Sequence, residues 1–550
     1  MKNSIFRTVI IIMAVSAVIL FCIMLPAINI HDIHFWLYLL ILAGEFILLR
    51  TGSIINKKIA DSMPRKGKAK VEVVKEAKPK SEFASLGKFV KFVLILFVAG
   101  LLYIFLSGIF YSPVLNAKRY AQRIQVTNVD FSEVPPYSFN QTAIIDRDSA
   151  ENLGNKVMGE MTDLVSQFQV SNEYSQVSYK NGTYRVTPLA YDGFVKYLRN
   201  RSEGIPGYII VNTTTGETKL QRITNKMHYV PSAYFLENLT IKLRFSHPFT
   251  IFGNPSFEID EDGNPYYVCT TYTYSGVNSL RRVEGVILFD PVTGSSTKYA
   301  IEDAPTWVDR IYPESLVNRE LNDWGKYQKG YFNTLFAQEG VIQTSEGYNY
   351  ISKDGDIWLY TGMTSVANDS SNVGFALVNL RNHEAQFIST SGADEYSVMA
   401  SAEGEVLNYG YTATFPVLVN INDQPVYLLS LKDSAGLIKM YAMVDAKDYQ
   451  QVYTVKAEKD ARSAINDLIA QLSGSNYIES DLIEKTITIE EMKEVIISGN
   501  TVYYIKAGGT IYKLPLNESN AMAAVFLKEG DTVKIYYSEI ENEKVIQTLE

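Results

Sequence analysis

Three apolar stretches within the first 111 residues constrain the fold of this chain more than any other feature. They run from Thr8 to Ile30, from Ile33 to Leu49 and from Phe92 to Tyr111. A helix of about 20 apolar residues crosses the hydrocarbon core of a bilayer. We therefore expect residues 1–111 to form a membrane region with three transmembrane helices.

A basic segment, residues 50–91, separates the second stretch from the third. It carries twelve Lys and Arg against four Asp and Glu. Short basic loops stay on the cytoplasmic side of a membrane. This predicts a multi-pass cell-membrane protein with a cytoplasmic loop at residues 50–91 and an extracytoplasmic region from residue 112 onward. The loop is either a solvated linker that sets the topology or a contact for anionic lipid headgroups.

Glu45 is the one carboxylate in the second apolar stretch. A carboxylate inside a membrane marks a functional site by default. Arg50 follows about one helical turn later, near the predicted cytoplasmic face, so pairing or snorkelling also explains the charge. We predict an intramembrane charge at this position.

The charge of the chain divides at the end of the membrane region. Residues 1–111 have a net charge of +8, and the remaining residues have a net charge of −17. An acidic region of this size argues against nucleic acid as a partner. Cys22 lies in the first apolar stretch and Cys269 stands alone afterwards, so the outer region has no internal disulfide, as is typical of bacterial rather than eukaryotic exported domains.

Residues 112–475 have the composition of an α+β region. Short runs of Tyr, Val, Ile and Thr alternate with Gly, Asn and Asp, which favours antiparallel strands and hairpins. Three helices are predicted from spacing: one behind a capping box at Asp148–Glu151, one after Pro313, and one from about Ala457 to Leu472. The apolar faces of these helices indicate packing against the core.

An internal repeat organises this region. The strand-turn-strand segment Tyr208–Leu220 recurs as Val286–Tyr299, and looser copies are Phe375–Ile388 and Tyr441–Tyr453. A hairpin turn precedes each copy, at Asn181-Gly182, Asp262-Gly263, Asp354-Gly355 and Asn422-Asp423. Asn and Asp begin such turns through side-chain bonds to the backbone. We expect four degenerate antiparallel repeats; a regular propeller is an open alternative.

The C-terminal segment, residues 476–550, changes character. Short alternating strands are separated by Gly499-Asn500, Gly508-Gly509 and Gly530-Asp531. This spacing predicts a small closed β-barrel of the OB or SH3-like type. The segment lacks a basic groove, which argues against binding of nucleic acid.

Two sets of short motifs carry a family resemblance. The turns at Asn212–Gly216 and Asp290–Gly294 resemble those of PepSY-type extracytoplasmic modules, which implies a role at the bacterial cell envelope and often restraint of peptidases. The segments Ala304–Pro313, Tyr360–Ser365 and Phe415–Pro425 resemble a family of large membrane-anchored envelope proteins of Gram-positive bacteria. That resemblance implies location and architecture.

Signatures of metal and cofactor chemistry are weak in this sequence. His31 and His34 lie in the turn between the first two apolar stretches, and Asp260–Gly263 lacks the glutamate that ends a calcium loop. No nucleophile elbow or phosphate-binding loop is evident. We expect no cofactor and no metal, while a pair of carboxylates assembled from distant loops stays open.

Five residues of the α+β region mix aromatic rings with charge and are candidate contacts for a ligand or partner: Trp307, Asp309, Arg310, Trp358 and Tyr360. Such groups form sugar or peptide sites on sheets. A buried aromatic core with a satisfied Asp–Arg pair explains the same residues.

The sequence favours a non-enzymatic function. The first hypothesis is a membrane-anchored extracytoplasmic interaction or scaffold protein of the bacterial cell envelope, which binds an envelope protein partner. The alternatives are a cell-wall hydrolase or its regulatory subunit, and a ligand-sensing membrane protein.

Overall fold

The computed structural model describes residues 2–62, 88–366, 368–457, 461–473, 482–497, 500–516, 520–540 and 543–549. The α+β class is confirmed, with a large sheet-rich region following the apolar N-terminal part. The chain divides into two compact units. The first comprises Met1–Asn116, Thr240–Gly253 and Thr271–Val283, and the second comprises Ala117–Leu239, Asn254–Thr270 and Glu284–Glu550.

The described helices are, in chain order, α1 (Lys2–Met24), α2 (Ile33–Ser62), α3 (Lys88–Phe110), α4 (Pro113–Ala121), α5 (Arg147–Glu160), α6 (Phe194–Asn200), α7 (Leu239–Ser246), α8 (Glu314–Tyr327), α9 (Tyr331–Leu335), α10 (Glu395–Glu405), α11 (Ala461–Ser473) and α12 (Ala521–Val525).

One of the described helices is long and apolar enough to cross a membrane, at Val90–Phe110 within α3. The prediction of three transmembrane helices is therefore wrong. The apolar parts of α1 and α2 that the structure describes, Ile10–Met24 and Ile33–Leu49, have fewer than 18 residues. At 1.5 Å per residue they fall short of a hydrocarbon core about 30 Å thick. The centre of the basic loop, residues 63–87, and its predicted lipid contact lie outside the described residues.

Glu45 is held by a neighbouring helix of the first unit. The hydroxyl of Ser16 on α1 donates a hydrogen bond to Glu45 Oε2 at 2.7 Å. The side chain of Arg50, the partner considered from sequence, lies outside the described residues.

Buried polar contacts connect the three segments of the first unit. Arg244 on α7 donates through Nε to Leu25 O at 2.9 Å and through Nη1 to Thr250 O at 2.7 Å. The backbone N–H of Val277 donates to Ser107 Oγ at 2.7 Å. These bonds satisfy the carbonyl at the end of α1 and one hydroxyl of α3, so segments distant in sequence pack as one unit.

The strands form five sheets. The first contains β2 (Phe168–Val170), β3 (Ser175–Tyr179), β4 (Gly182–Tyr191), β5 (Ile205–Asn212) and β6 (Thr218–Met227). The second contains β7 (Ile251–Phe252), β8 (Ser256–Ile259), β9 (Pro265–Thr273), β10 (Arg282–Phe289) and β11 (Ser296–Ala300). The third contains β1 (Val126–Val129), β12 (Ile342–Thr344), β13 (Asn349–Lys353), β14 (Asp356–Ser365), β15 (Asn368–Asn379), β16 (Ala385–Ile388) and β17 (Gly392–Ala393).

The fourth sheet contains β18 (Thr412–Ala413), β19 (Val417–Ile421), β20 (Gln424–Lys432), β21 (Ile438–Asp445) and β22 (Val452–Lys456). The fifth contains β23 (Ile483–Thr488), β24 (Glu491–Ile497), β25 (Asn500–Ala507), β26 (Thr510–Pro515), β27 (Thr532–Ile540) and β28 (Glu543–Leu549).

Each of the first four sheets contains the same run of four consecutive strands, and the two central strands of each run have eight or more residues. In the first sheet β4 and β5 are buried along almost their whole length, whereas β6 alternates between half-buried and exposed residues. Central strands with two covered faces need nearly continuous apolar sequence, and a strand with one covered face needs alternation. The apolar runs that mark the repeats are these central strands.

An Asx turn joins the third and fourth strands of each run. Asn212 Oδ1 accepts from the N–H groups of Thr214 and Thr215, both at 2.9 Å. Equivalent side-chain oxygens of Asp290, Asn379 and Asp445 accept from the backbone two and three residues later. The Asn or Asp that begins each repeat turn is therefore required by the backbone geometry.

The third of these turns has a histidine where the first two have a glycine, four residues after the Asn or Asp that begins the turn. Gly216 and Gly294 have φ values of +77° and +74°, and His383 has +68° at the equivalent position. His383 stacks on Tyr312, with ring centroids 4.1 Å apart, and its Nε2 lies 2.9 Å from Glu320 Oε2. These contacts compensate a left-handed conformation that glycine adopts more readily.

The prediction of a closed barrel for residues 476–550 is wrong, because the described strands of this segment form an open sheet. Its strand order is β23-β27-β28-β26-β25-β24, and within the described residues the end strands β23 and β24 do not pair with each other. β26 pairs in parallel with β28, so β28 and β27 lie between β26 and β23. The sheet therefore stays open, although alternating strands and glycine turns of this kind also occur in barrels.

The helix behind the predicted capping box begins two residues earlier than expected. Its N-cap is Asp146, whose side chain accepts from Ser149 N at 3.0 Å. It ends at Glu160, and β2 begins at Phe168. A chain reversal at Met161–Gln167 interrupts the helical periodicity.

Candidate functional site

A polar pocket forms where three hairpin turns of the second unit meet. Its cavity volume is about 540 Å³. We call it the hairpin pocket. It is lined by residues of the β3–β4 turn, the β8–β9 turn and the β13–β14 turn, by Thr306 and Trp307, and by Arg381.

The geometry of these turns follows from their sequences. Lys180 and Asn181 have φ values of +48° and +63°, and Asp354 and Gly355 have +55° and +83°. Two consecutive residues with positive φ are required by the type I′ turns that join antiparallel strands most tightly. The first turn thus uses Lys180-Asn181, one residue before the predicted Asn181-Gly182. Such tight turns hold their side chains at fixed positions around the pocket.

In the β8–β9 turn, the carboxylate of Asp260 is hydrogen-bonded within the turn. Asp260 Oδ1 accepts from the N–H groups of Asp262 at 3.0 Å and Asn264 at 2.8 Å, and its Oδ2 accepts from Asn264 Nδ2 at 2.9 Å. These bonds form an ordinary hairpin turn at the position where a calcium loop was considered. Neighbouring Glu261 is exposed, and its side chain makes no hydrogen bond or ion pair with the described residues.

Arg381 supplies a positive charge to the pocket. Its Nε lies 3.4 Å from Asp356 Oδ1, and its Nη1 donates to Thr306 O at 3.3 Å. Asp356 Oδ2 also accepts from Asn379 Nδ2 at 2.8 Å. Asp354 is exposed, and its side chain has no such partner among the described residues. The pocket therefore presents the carboxylates of Glu261 and Asp354, which pair with no described residue, beside a partly neutralised guanidinium. The ammonium of Lys180 also lines the pocket and lies 4.9 Å from the ring centroid of Tyr179.

Trp307 is the one candidate from sequence that lines the hairpin pocket. Its indole is half-buried and packs on the ring of Tyr266, with centroids 5.0 Å apart and planes inclined by 35°. A fixed, partly exposed indole next to carboxylates is a surface on which a ligand ring or an aliphatic side chain can pack.

Asp309 lies in the interior and not in the pocket. It is 2% exposed, its Oδ2 accepts from Ser178 N at 2.7 Å, and its own N–H donates to Glu258 Oε2 at 3.0 Å. Burial, with the nearby Glu258, raises the pKa of Asp309 well above its usual value. Burial raises the pKa of Glu258 to about 7. Both carboxyls are enclosed, Glu258 being 0% exposed, so neither contacts a ligand in this conformation.

Arg310 pairs with a helix residue rather than with Asp309. Its Nε lies 2.9 Å from both carboxylate oxygens of Glu314, and its Nη2 donates to Oε2 at 2.6 Å. The hydroxyl of Tyr350 donates to Glu314 Oε1 at 2.9 Å. Burial would raise the pKa of Glu314, but the facing guanidinium outweighs burial and keeps that pKa below its usual value. The predicted Asp–Arg pair is thus an Arg310–Glu314 pair at the start of α8.

Trp358 and Tyr360 belong to the core of the third and fourth sheets. Trp358 is buried, with the ammonium of Lys353 4.8 Å from its ring centroid. The hydroxyl of Tyr360 donates to Glu395 Oε1 at 3.2 Å, and its ring stacks on Phe375. The five candidate residues therefore do not form one site.

Sequence reasoning missed several residues that line the pocket. Asn181, Asp354 and the Asp260–Gly263 segment were identified as turn residues, without a sign that their turns converge. Lys180, Asp356 and Arg381 carried no signal, because their roles depend on neighbours on other strands and turns. Single-sequence spacing contains no information on such long-range placement.

Comparisons with known proteins leave the family of the chain open. No protein-family model and no curated protein matches it. The chain has a weak structural similarity to the YpeB C-terminal domain of Bacillus megaterium, with 10% identity, coverage of 40% of this chain and 93% of that domain, and a TM-score of 0.10.

Two further solved structures have a weak similarity to this chain. They are an exo-β-1,3-galactanase from Phanerochaete chrysosporium and the polysaccharide lyase Uly1. The first is 8% identical over 70% of each chain, with a TM-score of 0.16. The second is 9% identical over 68% of this chain and 75% of the lyase, with a TM-score of 0.15. At these TM-scores none of the three similarities carries an argument about fold or function.

Proposed function

We propose that the protein is a membrane-anchored interaction protein of the bacterial cell envelope, which binds a basic segment of a partner protein in its hairpin pocket. The apolar helix at Val90–Phe110 supplies the anchor. The acidic sheet-rich region lies outside the membrane. The resemblance of the repeat turns to PepSY-type modules supports the envelope as its location.

The lining of the hairpin pocket is the observation that carries this proposal. Glu261 and Asp354 are exposed carboxylates without an ion-pair partner among the described residues, and Trp307 lines the same pocket with a half-buried indole. Lysine or arginine side chains of a partner would pair with the carboxylates, and their aliphatic stems would pack on the indole. The net charge of −17 beyond the membrane region would steer a basic partner toward this surface.

A second depression extends the pocket. It has a volume of about 320 Å³ and shares Ser178, Asn181, Asp354 and Gly355 with the hairpin pocket. It continues to Glu539 on β27 of the fifth sheet. Adjoining depressions of this kind suit an extended peptide segment better than a compact small molecule.

The cell-wall hydrolase alternative lacks a comparable observation. Glu258 and Asp309 have raised pKa values of the kind that general acids need, but both are enclosed by protein. Asp260 and Asp356 line the pocket, but their oxygens are engaged by the turn and by Asn379 and Arg381. A glycosidase holds two accessible carboxyls at a fixed separation on either side of the scissile bond. Glu261 and Asp354 are accessible, but no hydrogen bond to the described residues fixes either carboxylate in such a position.

Site-specific photo-crosslinking in cells tests the proposal. A photoreactive residue replaces exposed Thr306 in the full-length chain, and attached proteins are quantified by mass spectrometry. We expect one dominant partner, whose yield falls at least about fivefold in Trp307→Ala and in the charge reversal Glu261→Lys/Asp354→Lys. Phe336→Ala, which removes an exposed aromatic ring outside the pocket, serves as control.

Two results would overturn the proposal. One is a partner whose yield is the same in the pocket variants and in the control. The other is the absence of any crosslinked protein from position 306 while the chain is inserted and folded.

A further inference from the structure

A second cavity of the second unit contains a buried guanidinium that forms no ion pair with the described residues. The cavity has a volume of about 480 Å³ and lies between α5, the start of α8 and the hairpin strand β13. We call it the Arg185 pocket. It shares no lining residue with the hairpin pocket.

Arg185 on β4 is 6% exposed and lines this pocket. Its Nε donates to Ile145 O at 3.4 Å, and its Cζ lies 5.5 Å from the ring centroid of Tyr350. Its two Nη groups donate no hydrogen bond to any residue that the structure describes. Leaving a buried guanidinium without an anionic partner is unfavourable, because the charge loses its hydration.

The acidic residues nearest to Arg185 are already engaged. Asp146 pairs with Lys432, at 2.5 Å from Nζ to Oδ2, and also caps α5. Glu314 is held by the guanidinium of Arg310. Each of these carboxylates therefore has a cation of its own. Arg185 forms no ion pair with the described residues, although the charge of Asp146 favours its protonated form.

The mouth of the pocket carries two carboxylates and one guanidinium. The guanidinium is that of exposed Arg147, whose Nη2 donates to Asn172 O at 2.5 Å. Asp148, in the first turn of α5, and Glu173, before β3, both line the pocket and are exposed. Their side chains form no hydrogen bond or ion pair with the described residues. Tyr348 and Tyr350 contribute aromatic surface to the lining. A deep cation, two shallow anions and an aromatic wall present a polarised surface.

We propose that the Arg185 pocket binds a zwitterion, an amino acid or short peptide with a free amino end and a free carboxyl end. The ligand's carboxylate would accept hydrogen bonds from the two Nη groups of Arg185, whose planar fork matches a carboxylate. Its ammonium would face Asp148 and Glu173. Its apolar part would pack on the two tyrosine rings. The volume lies within the range of about 300–1,000 Å³ that is typical of small-ligand sites.

Isothermal titration of the full-length protein in detergent micelles tests this assignment. The probe is the dipeptide alanyl-alanine at pH 7, compared with its N-acetylated form and with its C-terminal amide. The amide loses the negative charge at unchanged size, and the acetylated form loses the positive charge and gains one acetyl group. We expect each to bind about tenfold more weakly or worse. Alanine and trialanine in the same titration distinguish a free amino acid from a peptide as the preferred length.

Variants locate the two charges. Arg185→Lys keeps the charge but loses the fork, and we expect about tenfold weaker binding of alanyl-alanine. Asp148→Asn/Glu173→Gln changes exposed residues, which leaves folding intact, and should weaken alanyl-alanine about three- to tenfold without affecting the acetylated form. Asp192→Asn, an exposed acid outside the pocket, is the matched control.

The inference fails if both blocked dipeptides bind as well as the free one, or if none of the peptide probes binds. It also fails if inorganic phosphate binds more tightly than alanyl-alanine, because the site would then select an anion and not a zwitterion. The double variant at the mouth keeps the test valid if Arg185→Lys does not fold.

Discussion

Replacement of Glu258 by glutamine gives the most direct test of how the interior of the second unit is organised. Glu258 is fully buried on β8, and its oxygens accept from Asp309 N at 3.0 Å and from Ser256 Oγ at 3.0 Å. A glutamine retains both contacts. Its oxygen accepts from Asp309 N, and its amide donates to the Ser256 hydroxyl, which can turn to donate to Val268 O.

The magnitude follows from proton linkage. An unfolded glutamate ionises near 4.5, and burial raises the pKa of Glu258 in the folded protein to about 7. Between these pH values the folded state keeps a proton that the unfolded state has released, so stability falls as pH rises through this window. The difference corresponds to about 3 kcal/mol, present in full above pH 7 and absent below pH 4.5. Glu258→Gln removes this fall because the amide does not ionise.

Hydrogen exchange followed by mass spectrometry measures the effect where it arises. Peptides that contain β8 and β9 report the free energy of opening of this region, and exchange is compared from pH 5 to pH 8 after correction for intrinsic rates. We expect the opening free energy of the variant to decrease less with pH than that of the wild type, by about 3 kcal/mol at pH 8. Glu261→Gln, in the exposed turn next to β8, should follow the wild type. Equal pH dependence in Glu258→Gln and wild type would refute the reasoning.

Three further predictions concern packing, a buried hydroxyl and the membrane anchor. A Cβ on Gly154 would lie 2.1 Å from Tyr174 Oη, so Gly154→Ala should lower the melting temperature. Adding Tyr174→Phe should restore part of the loss. Gly159→Ala is the control, because Gly159 lies in the same helix with open space around it, and this variant should not lower the melting temperature. Tyr427→Phe removes a buried hydroxyl that makes two hydrogen bonds. Urea denaturation should show a loss of about 1–3 kcal/mol in the free energy of unfolding. An unchanged midpoint would contradict a stabilising role of this hydroxyl. Leu101→Arg, at the centre of Val90–Phe110, adds about 3 kcal/mol to the free energy of membrane insertion. It should therefore reduce the fraction of the protein that stays in alkali-washed membranes, whereas Leu101→Ala should not.

Local features were predictable because they depend on neighbours in sequence. The Asx turns at Asn212 and Asp290 follow from bonds between a side chain and the backbone two or three residues later. The helix after Pro313 was confirmed, with Leu316, Val317 and Leu321 buried along one face. The α+β class followed from the same local patterns of strands, turns and helices.

Features that depend on pairing between distant segments were not predictable in this way. The alternating strands after residue 476 suit a closed barrel and an open sheet equally, and the parallel pairing of Tyr512 and Lys513 with Lys544 and Val545 decides for the open sheet. The number of membrane-crossing helices was overestimated because apolar composition was counted without regard to the length of each apolar helix.

By itself, the sequence determined the α+β class, the four Asx turns, the acidic character of the sheet-rich region and an apolar helix long enough for a membrane. These depend on composition and on contacts within a few residues. The tertiary structure alone decided which turns meet around Trp307, which partner Arg310 takes, and that Arg185 forms no ion pair with the described residues. Those outcomes depend on segments up to 286 residues apart, such as Asp146 and Lys432. Their cost or gain in free energy is set by burial, which a local pattern of residues does not contain.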